Sequence, residues 1–352
     1  MEIKKILKTL CQAAGPTGFE RPVAKLAADV IAPFADECSI DTLANVIAVK
    51  RCGLPGAKKL LLAAHLDEVG LVVTSHEDGF LCVGPIGGVD ARVLPDRELT
   101  ILTDPPRLGV VSVQPPHVLK PEDMHKALKM EDLRVDAGLT QKQAEREIPI
   151  GTPIVFNTEG FELLNGRYVS KALDDRACFA ALIRTAELLK DAEKNGVELP
   201  WDVYFVGSSG EERAEDGGAA AAAFSTEADV CIAVDVAQGR TPDSTTFKYP
   251  KELGGGPVLN VGPNFTKHVR RRFEELASRN NIPVQIQPAP GKSGTDAWLM
   301  QTVRGSSASA VFEIPQRYMH SPAEMIDLKD VELSAQLLAA YALDPGKEAL
   351  GC

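Results

Sequence analysis

The sequence predicts an α/β protein: a mixed sheet sandwiched between helices and interrupted by an inserted, small all-β barrel. Three observations point there. Four runs, KLLLAA at 59–64, VYFV at 203–206, VCIAV at 230–234 and SAVFEI at 309–314, are strand-length and almost continuously apolar, as strands buried on both faces must be. Segments of helical period separate the later three of them. Between 68 and about 160 the texture changes to short alternating runs broken by Gly, Pro and Asp, the pattern of a small barrel or sandwich. These shifts divide the chain into an α/β domain, 1–67 plus 165–352, and an insertion, 68–164.

The elements follow in order. Residues 2–14 form an amphipathic helix with Ile3, Ile6, Leu7 and Leu10 on one stripe, and 20–33 form a second with Pro22 in its first turn. Strands follow at 39–50 and 59–64. The insertion holds VGLVVTS, FLCVGPI, ELTILT, LGVVSV and TPIVF, with a charged helical excursion near 121–132. A long helix starts near Asp174, followed by the strand after Trp201, an Ala-rich helix at 218–224 and a strand at 230–234. Gly254-Gly255-Gly256 reads as a flexible turn into the strand PVLNV, because no Lys-Ser/Thr pair or helix follows to make it a phosphate loop. A helix at 265–279, a strand around Val284, a short helix at 296–303, a strand at 308–314 and a helix at 331–343 complete the chain. There is no internal repeat.

Composition excludes several classes. The 352 residues are 44% hydrophobic and 25% charged, so nothing suggests disorder. No apolar run approaches a membrane span, and MEIKKILKTL lacks the apolar centre and cleavage site of a signal peptide. Seven cysteines without a CxxC pair argue for a reducing compartment, and a cytoplasmic location is expected. The net charge of −11 disfavours nucleic acid as a partner, and KHVRRR at 267–272 reads as a solvated helix face. Neither a nucleic-acid nor a membrane partner is expected.

Residues able to hold a metal recur at strand ends. His65 and Asp67 follow KLLLAA, Asp174 and Asp175 open a helix, Glu211 and Glu212 follow the Trp201 strand, Asp235 follows VCIAV, and His320 lies beyond SAVFEI. In open α/β sheets that edge is where ligands bind. In His65-x-Asp67 the carboxylate can hold the far imidazole nitrogen and fix its tautomer. Two His and three carboxylates match the ligand count of two ions sharing one bridging carboxylate, and the N/O set suits Zn²⁺, Co²⁺ or Mn²⁺. Adjacent Glu side chains diverge, so one can ligate while the other handles a proton. Spacing does not separate Asp174 from Asp175.

AAHLDEVG, ALDDR, SGEE, AVDV, GTDA and PQRYMHSPAEMIDLKD occur in an order and at separations that resemble the tetrahedral aminopeptidase family of cocatalytic metallopeptidases, which includes glutamyl and deblocking aminopeptidases. GPIGGVDARVLP and the PPH of the insertion extend the resemblance over nearly the whole chain. It implies a zinc-exopeptidase-like α/β domain with one metal held by His65, Asp174 and Asp235. A second would be held by Asp174, Glu212 and His320. It further implies Glu211 as general base acting on a metal-bridged water, and Asp67 as the orienting partner of His65. The expected cofactors are two divalent ions per subunit, Zn²⁺ or Co²⁺, with Mn²⁺ possible. The expected activity is removal of N-terminal residues from short peptides by a homododecameric shell, the β domain helping assembly and substrate access. The alternatives are a related cocatalytic deacylase or carboxypeptidase, or a glycoside hydrolase using Glu211 and Glu212.

The chain departs from the family pattern after the Glu pair, where Arg213-Ala214-Glu215-Asp216-Gly217-Gly218 replaces the usual Val-Gly-Leu-Arg-Gly type, and at Gly210, where Gln is common. Cys178 reads as a packed thiol, and Thr295 as a helix cap or a substrate-side residue. His76, His117, His125 and His268 lack ligand spacing and read as surface or structural.

Overall fold

The computed structural model describes residues 2–114, 116–118, 127–213, 217–242, 244 and 250–351. Helices α1 (Ile3–Gln12) and α2 (Arg21–Ile31) lead into strands β1 (Glu37–Ile40), β2 (Val46–Lys50) and β3 (Lys59–His65). The insertion supplies β4 (Gly70–Glu77), β5 (Phe80–Ile86), β6 (Glu98–Ile101), β7 (Arg107–Ser112), β8 (Arg134–Asp136), α3 (Gln141–Glu147) and β9 (Pro153–Phe156). Then come β10 (Phe161–Leu163), β11 (Arg167–Ser170), α4 (Leu173–Lys194), β12 (Asp202–Ser208), α5 (Gly218–Thr226) and β13 (Val230–Gln238). Strand β14 (Val258–Val261), α6 (Lys267–Arg279), β15 (Gln285–Pro288), α7 (Ala297–Met300), β16 (Ala308–Arg317), β17 (Glu324–Asp327), α8 (Leu328–Leu343) and α9 (Lys347–Leu350) follow.

The large sheet is mixed, in the order β1-β2-β12-β3-β13-β16-β17-β11-β10, with β14 and β15 attached beside β16. Its centre, β12, β3, β13 and β16, is parallel, whereas β2, β17 and β11 pair antiparallel at the flanks. Strands β4 to β9 close into a separate barrel, and β10 adds to the edge of the large sheet.

Burial explains the unbroken apolar runs. Leu60, Leu62, Ala64, Ile232, Val234, Phe312 and Ile314 pack with Ile6, Leu10, Phe179, Leu182 and Leu338 in one core. The alternate residues Leu61, Ala63, Cys231, Ala233 and Val311 face a second, smaller core closed by Ala219, Ala222 and Met300. Both faces are therefore dry, and each fully buried Leu, Ile or Phe contributes about 1.5–3 kcal/mol. The barrel has its own core of Leu71, Val73, Leu81, Leu99, Ile101, Val135 and Ile154.

Three expectations change. The single strand at 39–50 is instead a hairpin, because the Asp41 carboxylate accepts from Asn45 N at 2.9 Å and Nδ2 at 2.7 Å and turns the chain between β1 and β2. The helix at 296–303 contracts to the four-residue α7, followed by turns. Of the excursion near 121–132, residues 121–126 lie outside the described residues, and 127–132 form no α-helix, only a 3₁₀ turn at Met130–Asp132.

Candidate metal centre

Parallel pairing sets the first level of the site. His65 lies opposite Ser208 of β12, and Asp235 of β13 opposite Glu313 of β16. His65 ends β3 on the face that carries Leu61 and Ala63, and Asp235 shares that face with Cys231 and Ala233. Register alone thus places an imidazole and a carboxylate on neighbouring strands at one sheet edge.

Asp174 and Asp175 arrive from the other side, at the head of α4. Neither is helical: Ala172 is left-handed (φ 56°), the peptide between the two Asp is cis, and regular helix begins after them. This break turns the carboxylates apart. Asp174 Oδ1 lies 3.1 Å from His65 Nε2, and Oδ2 lies 3.3 Å from His320 Nε2. Asp175 points the other way, Oδ2 accepting from the His65 backbone N–H at 3.1 Å. Geometry distinguishes the two residues: Asp174 spans the two imidazoles and Asp175 does not.

The Glu pair sits in the turn after β12, which Gly210 enters with φ +73°, a conformation that suits glycine. Glu212 Oε1 lies 2.9 Å from His320 Nε2, and Glu211 Oε2 lies 3.8 Å from His65 Nε2. Single ligand atoms of His65, Asp174 and Asp235 lie within 4.8 Å of one another, and so do those of Asp174, Glu212 and His320. His65, Glu211 and Glu212 form a third such group. Six of the singled-out residues, His65, Asp174, Glu211, Glu212, Asp235 and His320, therefore meet.

Asp67 has a wider reach than the expected pairing with His65. Its carboxylate lies 3.5 Å from His65 Nδ1, and its main-chain carbonyl 3.2 Å from the same nitrogen. The carboxylate also accepts from Thr17 Oγ1 (2.7 Å), Glu211 N (3.2 Å) and Glu212 N (3.1 Å). One buried group thus orients the imidazole and the Glu-Glu turn together.

Other residues support the site from positions that residue spacing does not mark. Buried Glu324 accepts from the backbone N–H of Asp174 and of His320, each at 2.9 Å, tying residues 150 and 4 positions away to one carboxylate. It lies in the motif PQRYMHSPAEMIDLKD, but spacing does not reveal what it holds. Behind the site Glu68 receives Lys171 Nζ (2.7 Å), Arg176 (3.2 Å) and Gly15 N (3.0 Å). Arg176, fully buried, also donates to the carbonyls of Leu66, Leu10 and Ala13. The sequence signal was present: Lys171 and Arg176 flank ALDD within an otherwise apolar stretch.

The electrostatics call for positive charge. Burial, with repulsion from Asp174, pushes Asp235 up to about 7. Burial, with Asp235, Asp296 and Glu212 nearby, pushes Glu211 up to about 9. Burial disfavours charge on His320, but hydrogen bonds with Asp174 and Glu212 outweigh it and raise the ring to about 11. His65 is raised well above its ordinary value by Asp174 and Asp67 against the same burial penalty. Two imidazoles, His65 and His320, lie in hydrogen-bond reach of this carboxylate cluster. The Asp235 carboxylate accepts from its neighbour's N–H, Val236 at 2.6 Å. Buried carboxylates in such excess need protons or cations. A mixed N/O donor set of this kind fits divalent ions such as zinc, cobalt or manganese.

Beside Glu211 opens a cavity of about 190 Å³ lined by Lys292, Ser293, Thr295, Asp296, Trp298 and Leu299. Asp296, raised to about 6 by burial, accepts from Ser208 Oγ at 2.7 Å. Lys292 Nζ sits 5.6 Å over the Trp298 ring. Thr295 Oγ1 donates to Ser293 Oγ at 3.2 Å and accepts from Ala297 N at 3.4 Å, a long contact for a cap. Cys178 is fully buried, its thiol donating to Asp235 O at 3.0 Å. His76 bonds Ile148 O, His268 approaches Glu348 and His117 is exposed, and none of the three belongs to the metal-capable groups among the described residues. His125 and residues 214–216 of the departure at 213–218 lie outside the described residues.

Comparison with known proteins agrees across the chain. The family model described as M42 glutamyl aminopeptidase matches residues 44–337. A lysyl aminopeptidase of Pyrococcus furiosus is 36% identical over 342 residues, covering 96% of this chain and 95% of that protein. A TET aminopeptidase from a marine-sediment Thaumarchaeota archaeon superposes with a TM-score of 0.90 at 28% identity, over 99% of this chain and 98% of that one. The TET1 peptidase of Pyrococcus horikoshii, described as able to assemble into a tetrahedron or a large octahedral shell, matches with a TM-score of 0.82 at 28% identity, over 97% and 99%.

Proposed function

The chain belongs to the M42 glutamyl aminopeptidase family and is a hydrolase of peptide bonds; from that premise we propose a two-metal mechanism for it. The observation that carries the reading is Asp174, whose two oxygens each face a different imidazole, 3.1 Å from His65 and 3.3 Å from His320. His65, Asp174 and Asp235 would hold one divalent ion, and Asp174, Glu212 and His320 the other. Zinc or cobalt is the expected metal, with manganese the third that the donors suit. When bound, such ions polarise a carbonyl and lower the pKa of water toward about 7.

Glu211 is the side chain left over. It belongs to neither proposed triplet and stands next to both, and with cations bound beside it the carboxylate gives up the proton that burial favours in the metal-free site. It takes a proton from the attacking water and returns it to the departing amine. Asp67 holds a proton on His65 Nδ1, because both its carbonyl and its carboxylate can only accept, so the neutral ring that a metal requires would be the tautomer with Nε2 free to ligate. The surplus of carboxylates suits the free α-ammonium of a peptide N-terminus, which a blocked or internal peptide bond lacks. The cavity lined by Lys292, Asp296, Trp298 and Leu299 adjoins Glu211 and would receive the first side chain.

Short peptides are the proposed substrates. The proposed assembly is a homododecamer, the number of copies that tetrahedral symmetry requires, with the barrel contributing to contacts and access. The six described cysteines are all free thiols, which suits a cytoplasmic setting. A glycosidase reading would leave His65, His320, Asp174 and Asp235 without a task. The test is a panel of aminoacyl chromogenic substrates on protein stripped with chelator and reloaded with Zn²⁺, Co²⁺ or Mn²⁺, with metal content measured in parallel. Chelator-insensitive turnover would remove the metals from the mechanism.

A further inference from the structure

We infer that the inserted barrel takes part in the metal centre through the turn Gly87-Gly88, which positions His320 and Glu212. Three contacts support it. Gly88 O lies 3.3 Å from His320 Nδ1. A carbonyl can only accept, so this contact holds the proton on Nδ1 and leaves Nε2 facing Asp174 and Glu212. A Cβ built on Gly88 would lie 2.7 Å from His320 Nδ1 and 3.1 Å from Cε1, inside ordinary van der Waals distance, so the glycine itself makes room for the ring. Gly87, at φ +73°, runs equally close to the neighbouring ligand: a Cβ there would meet Glu212 O at 3.2 Å and Oε2 at 3.3 Å, and Val69 Cγ1 at 2.9 Å.

The turn is anchored on the barrel. Val89 N bonds Gly87 O at 3.1 Å, Asp90 caps the 3₁₀ turn Ala91–Val93 through Arg92 N at 2.9 Å, and Leu94 is fully buried in the barrel core. Its position is therefore set by the insertion. His320 needs such a support, since it sits at φ +60° in a loop and is 30% exposed, whereas His65 ends a buried strand at 2%. The two proposed ion sites thus differ in what steadies them. The site of His65 and Asp235 is built by the large sheet; that of His320 and Glu212 leans on the insertion.

This inference rests on the two-metal reading, and its test separates the two. Metal stoichiometry and affinity are measured by competitive chelator titration of wild type, Gly88→Ala, His320→Ala and Gly84→Ala. Gly84 is a barrel glycine whose added Cβ would meet only Thr74, so it controls for the insertion's tolerance of a methyl. Two ions in wild type and one in His320→Ala would uphold the two-metal reading; no ion in wild type would sink it. Given that reading, Gly88→Ala should weaken one ion by about 10–100-fold and leave the other unchanged, with Gly84→Ala like wild type. Two ions bound by Gly88→Ala with wild-type affinities would overturn the inference. Should Gly88→Ala fail to fold, ¹⁵N-histidine solid-state NMR of the metal-loaded wild type decides, with six imidazoles to assign. The inference requires His320 to carry its proton on Nδ1, and a bare Nδ1 refutes it.

Discussion

Asp67→Asn changes the chemistry of one buried atom and almost nothing of its size. In the native site both oxygens accept: Oδ1 from Glu211 N–H, Oδ2 from Glu212 N–H and from Thr17 Oγ1. Oδ1 also lies 3.5 Å from His65 Nδ1. An asparagine oxygen best replaces Oδ2, which serves two donors, and its NH₂ then faces Glu211 N–H and His65. The Glu211 amide loses its acceptor, at a cost of about 1–3 kcal/mol. At His65 a new donor confronts Nδ1–H and favours the tautomer with its proton on Nε2, the nitrogen aimed at Asp174. The Asp67 main-chain carbonyl still accepts from Nδ1, so the ring keeps part of its orientation. We therefore expect the low end of the usual outer-partner effect, about a tenfold loss in affinity for the ion at His65, or about 1.4 kcal/mol. Competitive titration with a fluorescent zinc chelator measures it, and circular dichroism checks the fold. Thr17→Val removes a donor without touching the tautomer and should bind metal like wild type. Unchanged metal affinity in Asp67→Asn would refute the reasoning.

The other predictions concern separate parts of the site. Glu211→Gln should keep both ions and lose about 10²–10⁴-fold in kcat, read from metal analysis beside steady-state rates; full activity removes Glu211 from proton transfer. Arg176→Lys cannot span the carbonyls of Leu66, Leu10 and Ala13, and should destabilise by about 2–6 kcal/mol through acceptors left unpaired, measured by denaturant unfolding. In chelator-treated protein Asp235, Glu211 and His320 all titrate higher folded than unfolded, at about 7, about 9 and about 11. Their contribution to stability is thus complete below about pH 4, the unfolded carboxylate range, and falls as pH rises through those values. Thermal melts of stripped protein should therefore decline from about pH 4 toward about pH 11, and added Zn²⁺ should flatten that decline, since bound cations stand in for the protons. A flat profile without metal would contradict the burial argument.

Much of the architecture was legible because burial dictates it locally. A strand dry on both faces has to be apolar at every position, so β3, β12, β13 and β16 announce themselves, and the alternating runs of the barrel contrast with them. The hairpin of β1 and β2 was harder to read, because the Asp41–Asn45 turn depends on a side-chain acceptor inside an otherwise strand-like stretch.

For the site, the chain alone determined the chemistry: imidazoles and carboxylates placed just past strand ends, where parallel pairing gathers them on one edge. Only the tertiary structure decided which atoms face which. Asp174 and Asp175 are the same residue type side by side, and a non-helical turn aims one at the imidazoles and the other at a backbone amide. Glu324, Arg176 and Gly88 act on partners up to 232 positions away, through hydrogen bonds and a steric gap that no local pattern encodes. Residue type is a property of the chain, whereas the direction of a lone pair belongs to the folded contact.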